Sequence, residues 1–248
     1  GRPLTMADET VARGVAVSVG DDTASLDKLV LRSEAGNAQS GALNTVTVSG
    51  RTFQQITGLD QPDNAVTIQT ASGPVSQAKG IWSTAMEVTE ILLGAGKDSF
   101  AFGNLAQTSD NATATELVVL QAGGGDDTIT AQSVLGMQAL VLYGDAERNE
   151  AAYGSTKPVG ADTIDLSKQA SGVVLVDAGA GNDSILGGAG TLVALGGEGA
   201  DTLQGGTGST ILVGDATLLL DRLTASVRID AAPSTGNDRV TGGTGTQI

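Results

Sequence analysis

The sequence contains no cysteine and no histidine. That removes Ser-His-Asp and Cys-His catalysis, most zinc sites, thiolate clusters and disulfides. Aromatics are nearly missing too, with one Trp, two Tyr and three Phe. A core must therefore be built from Val, Leu, Ile and Ala, which suits the 40% hydrophobic content. Five prolines without a Gly-X-Y register exclude collagen. No run of about 18 apolar residues is present, so no transmembrane helix is expected, and no signal peptide is evident. The sequence runs from Gly1 to Thr246-Gln247-Ile248 and breaks off within a repeat, as expected of a segment of a longer protein.

Glycine and aspartate are what the chain has in excess. Its 36 glycines in 248 residues are about twice the ordinary share. Net charge is −15, and 20 of the 28 acids are Asp, which favours turns and hard-cation sites where Glu favours helices. Such a balance repels nucleic acid and anionic membranes.

Residues 178–213 read AGAGNDSIL, GGAGTLVAL, GGEGADTLQ, GGTGSTILV, four consecutive nonapeptides. Asp183 and Asp201 hold the sixth place in alternate units, and Leu192 and Thr210 hold it in the others. The structural period is therefore two nonapeptides, with one acidic and one neutral side. The acidic frame recurs at Asp98, Asp127, Asp162, Asp183, Asp201 and Asp238. Two residues before each stands Gly96, Gly125, Gly160, Gly181, Gly199 or Gly236, and two after stands Phe100, Ile129, Ile164, Ile185, Leu203 or Val240. Apolar runs of strand length precede the turns: EILL (90–93), ELVVL (116–120), ALVLY (139–143), VVLV (173–176), TLVAL (191–195) and TILV (210–213).

The pattern predicts an all-β chain. Residues 88–248 are expected to form a parallel β-roll or β-helix solenoid of about six coils, with insertions near 144–159 and 214–235. Residues 1–87, with strand-like VAVSV (15–19), KLVLR (28–32), TVTVS (45–49) and AVTIQ (65–69), are expected to be an irregular β-rich cap or degenerate early coils; Gly20-Asp21-Asp22 is a faint echo of the motif. Phe100, Ile129, Ile164, Ile185 and Leu203 should stack internally.

The chemistry follows from residue type. Calcium takes six to eight oxygens from carboxylates and carbonyls. Glycines at Gly96, Gly125, Gly179, Gly181, Gly197 and Gly199 let a turn aim its carbonyls inward. Coils stacked about 4.8 Å apart place successive carboxylates within reach of a shared ion. The first-rank candidate ligands are Asp98, Asp127, Asp162, Asp183, Asp201 and Asp238. Asp145, Asp177 and Asp215, which open their turns, are further candidates, as is Asp126, the carboxylate beside Asp127. Gly94-Ala95-Gly96-Lys97-Asp98-Ser99 lacks the spacing and the hydroxyl of a phosphate loop. Trp82 reads as a buried hydrophobe, and the sequon Asn111-Ala112-Thr113 carries no weight.

Gly196-Gly197-Glu198-Gly199-Ala200-Asp201-Thr202-Leu203-Gln204, and less fully 178–186 and 122–130, resemble the RTX nonapeptide family, G-G-x-G-x-D-x-U-x with U a large apolar residue. The resemblance covers roughly residues 88–248. It implies a right-handed parallel β-roll binding Ca2+ between coils, outside the cell or at a bacterial surface, after type I secretion. The long insertions look more like very large surface proteins than compact toxins. The neutral face, with Leu192 and Thr210, lacks a second acidic row.

The function expected is thus a calcium-binding structural or adhesive module, not an enzyme. Its partners would be calcium, neighbouring segments of the same protein and possible homotypic contacts. The alternative is a module of a secreted polysaccharide-active β-helix enzyme, for which the sequence offers few basic or aromatic side chains. Ice binding would need a regular Thr ladder, which Ser99, Ser184 and Arg239 interrupt.

Overall fold

The computed structural model describes residues 4–7, 16–18, 28–32, 38–48, 50–59, 66–70, 73–77, 80–108, 116–135, 139–146, 159–221, 224, 226–231 and 236–246. Gly20-Asp21-Asp22, Asn111-Ala112-Thr113 and most of the first insertion lie outside these residues. Every element among them is a β-strand, and no helix is long and apolar enough to cross a membrane.

Two long sheets carry the architecture. The first has eight strands, every pair parallel, in the order β1 (Leu4–Ala7), β3 (Lys28–Arg32), β9 (Val88–Leu92), β11 (Leu117–Gln121), β13 (Ala139–Tyr143), β15 (Val173–Ala180), β17 (Thr191–Glu198) and β19 (Thr210–Val213). The second has ten strands. Its parallel part runs β4 (Ser40–Val48), β10 (Ser99–Ala106), β12 (Thr128–Leu135), β14 (Thr163–Asp165), β16 (Ser184–Leu186), β18 (Thr202–Gln204) and β22 (Arg239–Thr241). From β9 to β19 the chain alternates between the two sheets, so one strand of each makes a rung.

Residues before 88 belong to both sheets. β3 pairs in parallel with β9, and β4 with β10, so pairing is continuous across residue 87. Beyond β4 the second sheet changes character: β4 pairs antiparallel with β5 (Arg51–Gly58), β5 with β8 (Ile81–Thr84), and β8 pairs in parallel with β2 (Ala16–Ser18). Trp82 is buried there and meets Phe53 edge-on at 5.9 Å. Two hairpins complete the strands: β6 (Val66–Thr70) with β7 (Gly73–Gln77), and β20 (Ala216–Asp221) with β21 (Ser226–Ala231).

The two sheets differ because their faces do. In the second sheet, TID, SIL and TLQ alternate, with the central residue inside and its neighbours toward solvent. Register aligns Phe100, Ile129, Ile164, Ile185, Leu203 and Val240, and the first five are buried in one core. Burying a side chain of this size contributes roughly 1.5–3 kcal/mol, so the column is a main source of stability. Facing it from the first sheet are Ile91, Val118, Leu120, Leu140, Leu142, Val174, Val176, Leu192 and Ala194.

The first sheet is apolar on its other face as well. Val88, Leu117, Val119, Val141, Tyr143 and Leu195 form a second core with Ala216, Leu218 and Leu220 of β20. A strand buried on both sides reads as a continuous apolar run, which explains LVVL and ALVLY. The hairpin β20–β21 is thus a strap laid over the outside of the first sheet, with β20 packing on β15 and β17.

Candidate metal centre

The acidic turns connect the first sheet to the second. At each, the chain leaves a strand of the first sheet, passes through glycines and enters the second sheet one residue after the Asp. Because the second sheet is in register, the aspartates come into register too. Asp98, Asp127, Asp162, Asp183 and Asp201 are all buried, and Asp238 is half-buried on the last rung.

Their carboxylates form a relay. The Asp98 N–H donates to Asp127 Oδ1 at 2.6 Å, Asp127 N–H to Asp162 Oδ1 at 2.8 Å and Asp162 N–H to Asp183 Oδ1 at 2.7 Å. Asp183 N–H then donates to Asp201 Oδ1 at 2.8 Å, and Asp201 N–H to Asp238 Oδ1 at 3.1 Å. One oxygen of each carboxylate is thereby fixed by the preceding rung. The other, Oδ2 of Asp98, Asp127, Asp162, Asp183 and Asp201, is buried and accepts no hydrogen bond among the described residues.

One further rung stands before Asp98. The Gln39 N–H donates to Asp98 Oδ1 at 2.6 Å, and Gln39 occupies the Asp position, since Ser40 pairs with Ser99. The sequence reading missed it. All three letters of the frame have changed there, to Asn37, Gln39 and Gly41. Gly41 pairs with Phe100, and a Cβ on Gly41 would lie 2.7 Å from the Phe100 ring, so the large ring fills the room that the glycine leaves. A search that allowed volume to be exchanged between adjacent rungs would have found this one.

Glycine makes the stacking possible. Gly199 has φ +136°, and a Cβ there would fall on the carbonyl oxygen of Gly181; Gly181, at φ +151°, stands in the same way on Gly160. Gly125 stands likewise on Gly96, and Gly197 on Gly179. Each of these carbonyl oxygens therefore faces the adjoining rung. At Gly144 a Cβ would meet both Asp162 Oδ2 and Ala178 O, and at Gly196 both Asp201 Oδ2 and Gly214 O. Unpartnered carboxylate oxygens and turn carbonyls converge at these cradles.

Burial sets the electrostatics. It pushes Asp127 up to about 7, with the Asp98 and Asp126 carboxylates raising it further. Burial raises Asp162 to about 8, and Asp183 and Asp127 add to it. Asp183 rises to about 7 by burial and then by Asp201, and Asp98 and Asp201 move the same way by burial. A buried row of like charges favours anything that supplies positive charge, whether protons or a cation.

The remaining candidates separate. Asp145 is buried against the row, with Oδ2 accepting from the Ala180 N–H at 2.7 Å. Asp215 has a buried oxygen, Oδ1, without a hydrogen-bond partner among the described residues. Asp126 is exposed and accepts from the Ala161 N–H at 3.1 Å, outside the row; Asn182 does the same for Ala200 at 2.9 Å. Asp177 sits level with Tyr143 and Leu195 in the first sheet, and its Oδ2 accepts from Thr217 Oγ1 and the Leu218 N–H, both at 2.7 Å. It clasps the strap.

The donor set suits a hard cation. Every available atom is oxygen, and among the described residues no group of three or more acidic side chains gathers at one point as a ready-made metal cluster. A calcium shell here would combine one or two carboxylates with turn carbonyls, which is within the ion's range of ligands. No family model, curated protein or solved structure matches the chain.

Proposed function

We propose that this chain is a calcium-binding structural or adhesive module of a larger extracellular or bacterial surface protein, folded as a parallel β-roll of the RTX type. The observation that carries the reading is the relay: a file of buried carboxylates, each with one oxygen tied down and one left over, beside carbonyls that face between rungs. The alternation of successive strands between two parallel sheets supports the roll, and the composition supports a cation rather than an anionic partner. In this reading Ca2+ neutralises the row and joins neighbouring rungs, so ion binding and folding are linked. Sites of about 10⁻⁴–10⁻³ M suffice where calcium is millimolar and stay empty where it is scarce. The segment would then remain unfolded until exported and become rigid outside.

The test is a calcium titration of the chelated protein followed by circular dichroism and calorimetry. A cooperative gain of β-signal with heat of binding is expected. A β-spectrum that is the same in chelator and in millimolar calcium would overturn the reading.

A further inference from the structure

The second glycine of the turn is not always glycine. Gly123, Asp145, Gly179, Gly197 and Asp215 occupy one level, each two residues beyond aligned positions of the first sheet. The three glycines have φ of +105°, +107° and +102°, whereas neither Asp145 nor Asp215 has a positive φ. Both aspartates stand where the chain departs into an insertion instead of turning directly to the acidic row. The tight turn is not made there, so a side chain is tolerated.

At Asp145 that side chain is directed inward. It is 5% exposed, Oδ2 is held by the Ala180 N–H at 2.7 Å, and a Cβ on Gly179 would lie 2.8 Å from its Cγ. Its Oδ1 is buried and accepts no hydrogen bond among the described residues. Asp162 is 1% exposed, with Oδ1 held by the Asp127 N–H at 2.8 Å and Oδ2 lying over Gly144, the neighbour of Asp145, beside Ala178 O. Two buried carboxylates thus lie near enough for the Asp145 charge to act on Asp162, each anchored through one oxygen and open at the other. Among the described residues the charged groups acting on both are further carboxylates, Asp127 and Asp183. Repulsion of this kind at low dielectric calls for a counter-ion.

We propose that Asp145 and Asp162 together form a two-carboxylate calcium site at the first interrupted turn, and that it fills before the other gaps of the row. The inference rests on the calcium reading above. Ligand charge tunes calcium affinity, and a second carboxylate adds charge where an uninterrupted turn has only glycine. Asp215 repeats the substitution at the second interrupted turn, opposite Asp238, on a more open rung.

The test is isothermal calorimetry with calcium on the full chain, comparing wild type with Asp145→Asn, Asp145→Gly and, as an exposed control on the strap, Asp221→Asn. Asn is isosteric and keeps an acceptor for Ala180; Gly restores the residue of the other turns. Circular dichroism at saturating calcium identifies the folded variants, and if Asp145→Asn does not fold, Asp145→Gly is read in its place. The expected result is a weakening of the first-bound ion by about tenfold or more and the loss of one ion from the tightest class, with Asp221→Asn behaving as wild type. A folded Asp145 variant that binds its first ion as wild type does overturns the paired site while leaving the row as calcium ligands. So does failure of both variants to fold at saturating calcium, because the residue is then required by the fold and not by the ion. Wild type that binds no calcium removes the underlying reading instead.

Discussion

The Asp162 N–H donates to Asp183 Oδ1 at 2.7 Å, while Asp183 Oδ2 is buried without a hydrogen bond among the described residues. The carboxylate thus has two separable parts, an acceptor that completes a neighbour's backbone and a charge that the fold leaves uncompensated. Substitutions at Asp183 can remove the second without the first.

Asp183→Asn keeps the acceptor and deletes the charge. In chelator it should keep more β-signal by circular dichroism than wild type, because repulsion along the row is relieved; in millimolar calcium it should melt lower than wild type. Asp183→Ala removes both and strands a buried N–H, at about 1–3 kcal/mol, so it should be the less stable of the two under either condition. Circular dichroism of both variants in chelator and thermal melts in calcium check the inversion. The same sign of effect in both buffers would refute it.

The pH dependence of the metal-free chain follows from the raised carboxylates. Asp127 and Asp183 lie at about 7, and Asp145 and Asp162 at about 8, against about 3.9 in an unfolded chain. The folded state holds these protons more tightly, so their contribution is fully present below about pH 4 and is lost as pH rises through 7 to 8. In chelator the β-signal by circular dichroism should fall as pH rises from about 5 to about 8.5. Calcium should flatten that slope.

Gly199→Ala places a methyl on the Gly181 carbonyl at a φ of +136°. The cost should exceed about 1 kcal/mol, since the native backbone cannot be kept without strain. Urea melts in saturating calcium measure it, and a loss within about 0.5 kcal/mol, typical of an indifferent surface site, would show that the turn relaxes.

Asp177→Ala should free the strap and leave the row in place. It deletes acceptors for Thr217 Oγ1 and the Leu218 N–H, bonds to a charged group worth about 1.5–3 kcal/mol each at most. Hydrogen exchange of residues 216–231 should accelerate while amides of the Asp162 and Asp183 turns keep their protection. Uniform acceleration would mean that the strap and the acidic turns open together.

Much of this was legible in the sequence where a rung keeps its letters. From Asp98 to Asp238 the Gly-x-Asp-x-apolar spacing survives both insertions, because insertions enter before the frame and not within it. The apolar column from Phe100 to Leu203 could be named from spacing alone, and each apolar run falls on a strand. Three features were not legible, for one common reason: they depend on a partner distant in sequence. Gln39 reads as an Asp position only once Phe100 is seen occupying the space over Gly41. Asp177 reads as a turn ligand, but that it also holds the strap shows only when Thr217 and Leu218, some 40 residues on, donate to its Oδ2. Residues 214–235 read only as an insertion, although Ala216, Leu218 and Leu220 alternate as a strand should when it lies on an apolar sheet.

Every bond in the aspartate relay points the same way, from an earlier backbone to a later side chain. Injury to it is therefore asymmetric. Erasing one carboxylate orphans an amide upstream and leaves those downstream untouched, so unravelling should spread from a lesion toward Gln39 and spare the stretch leading to Asp238.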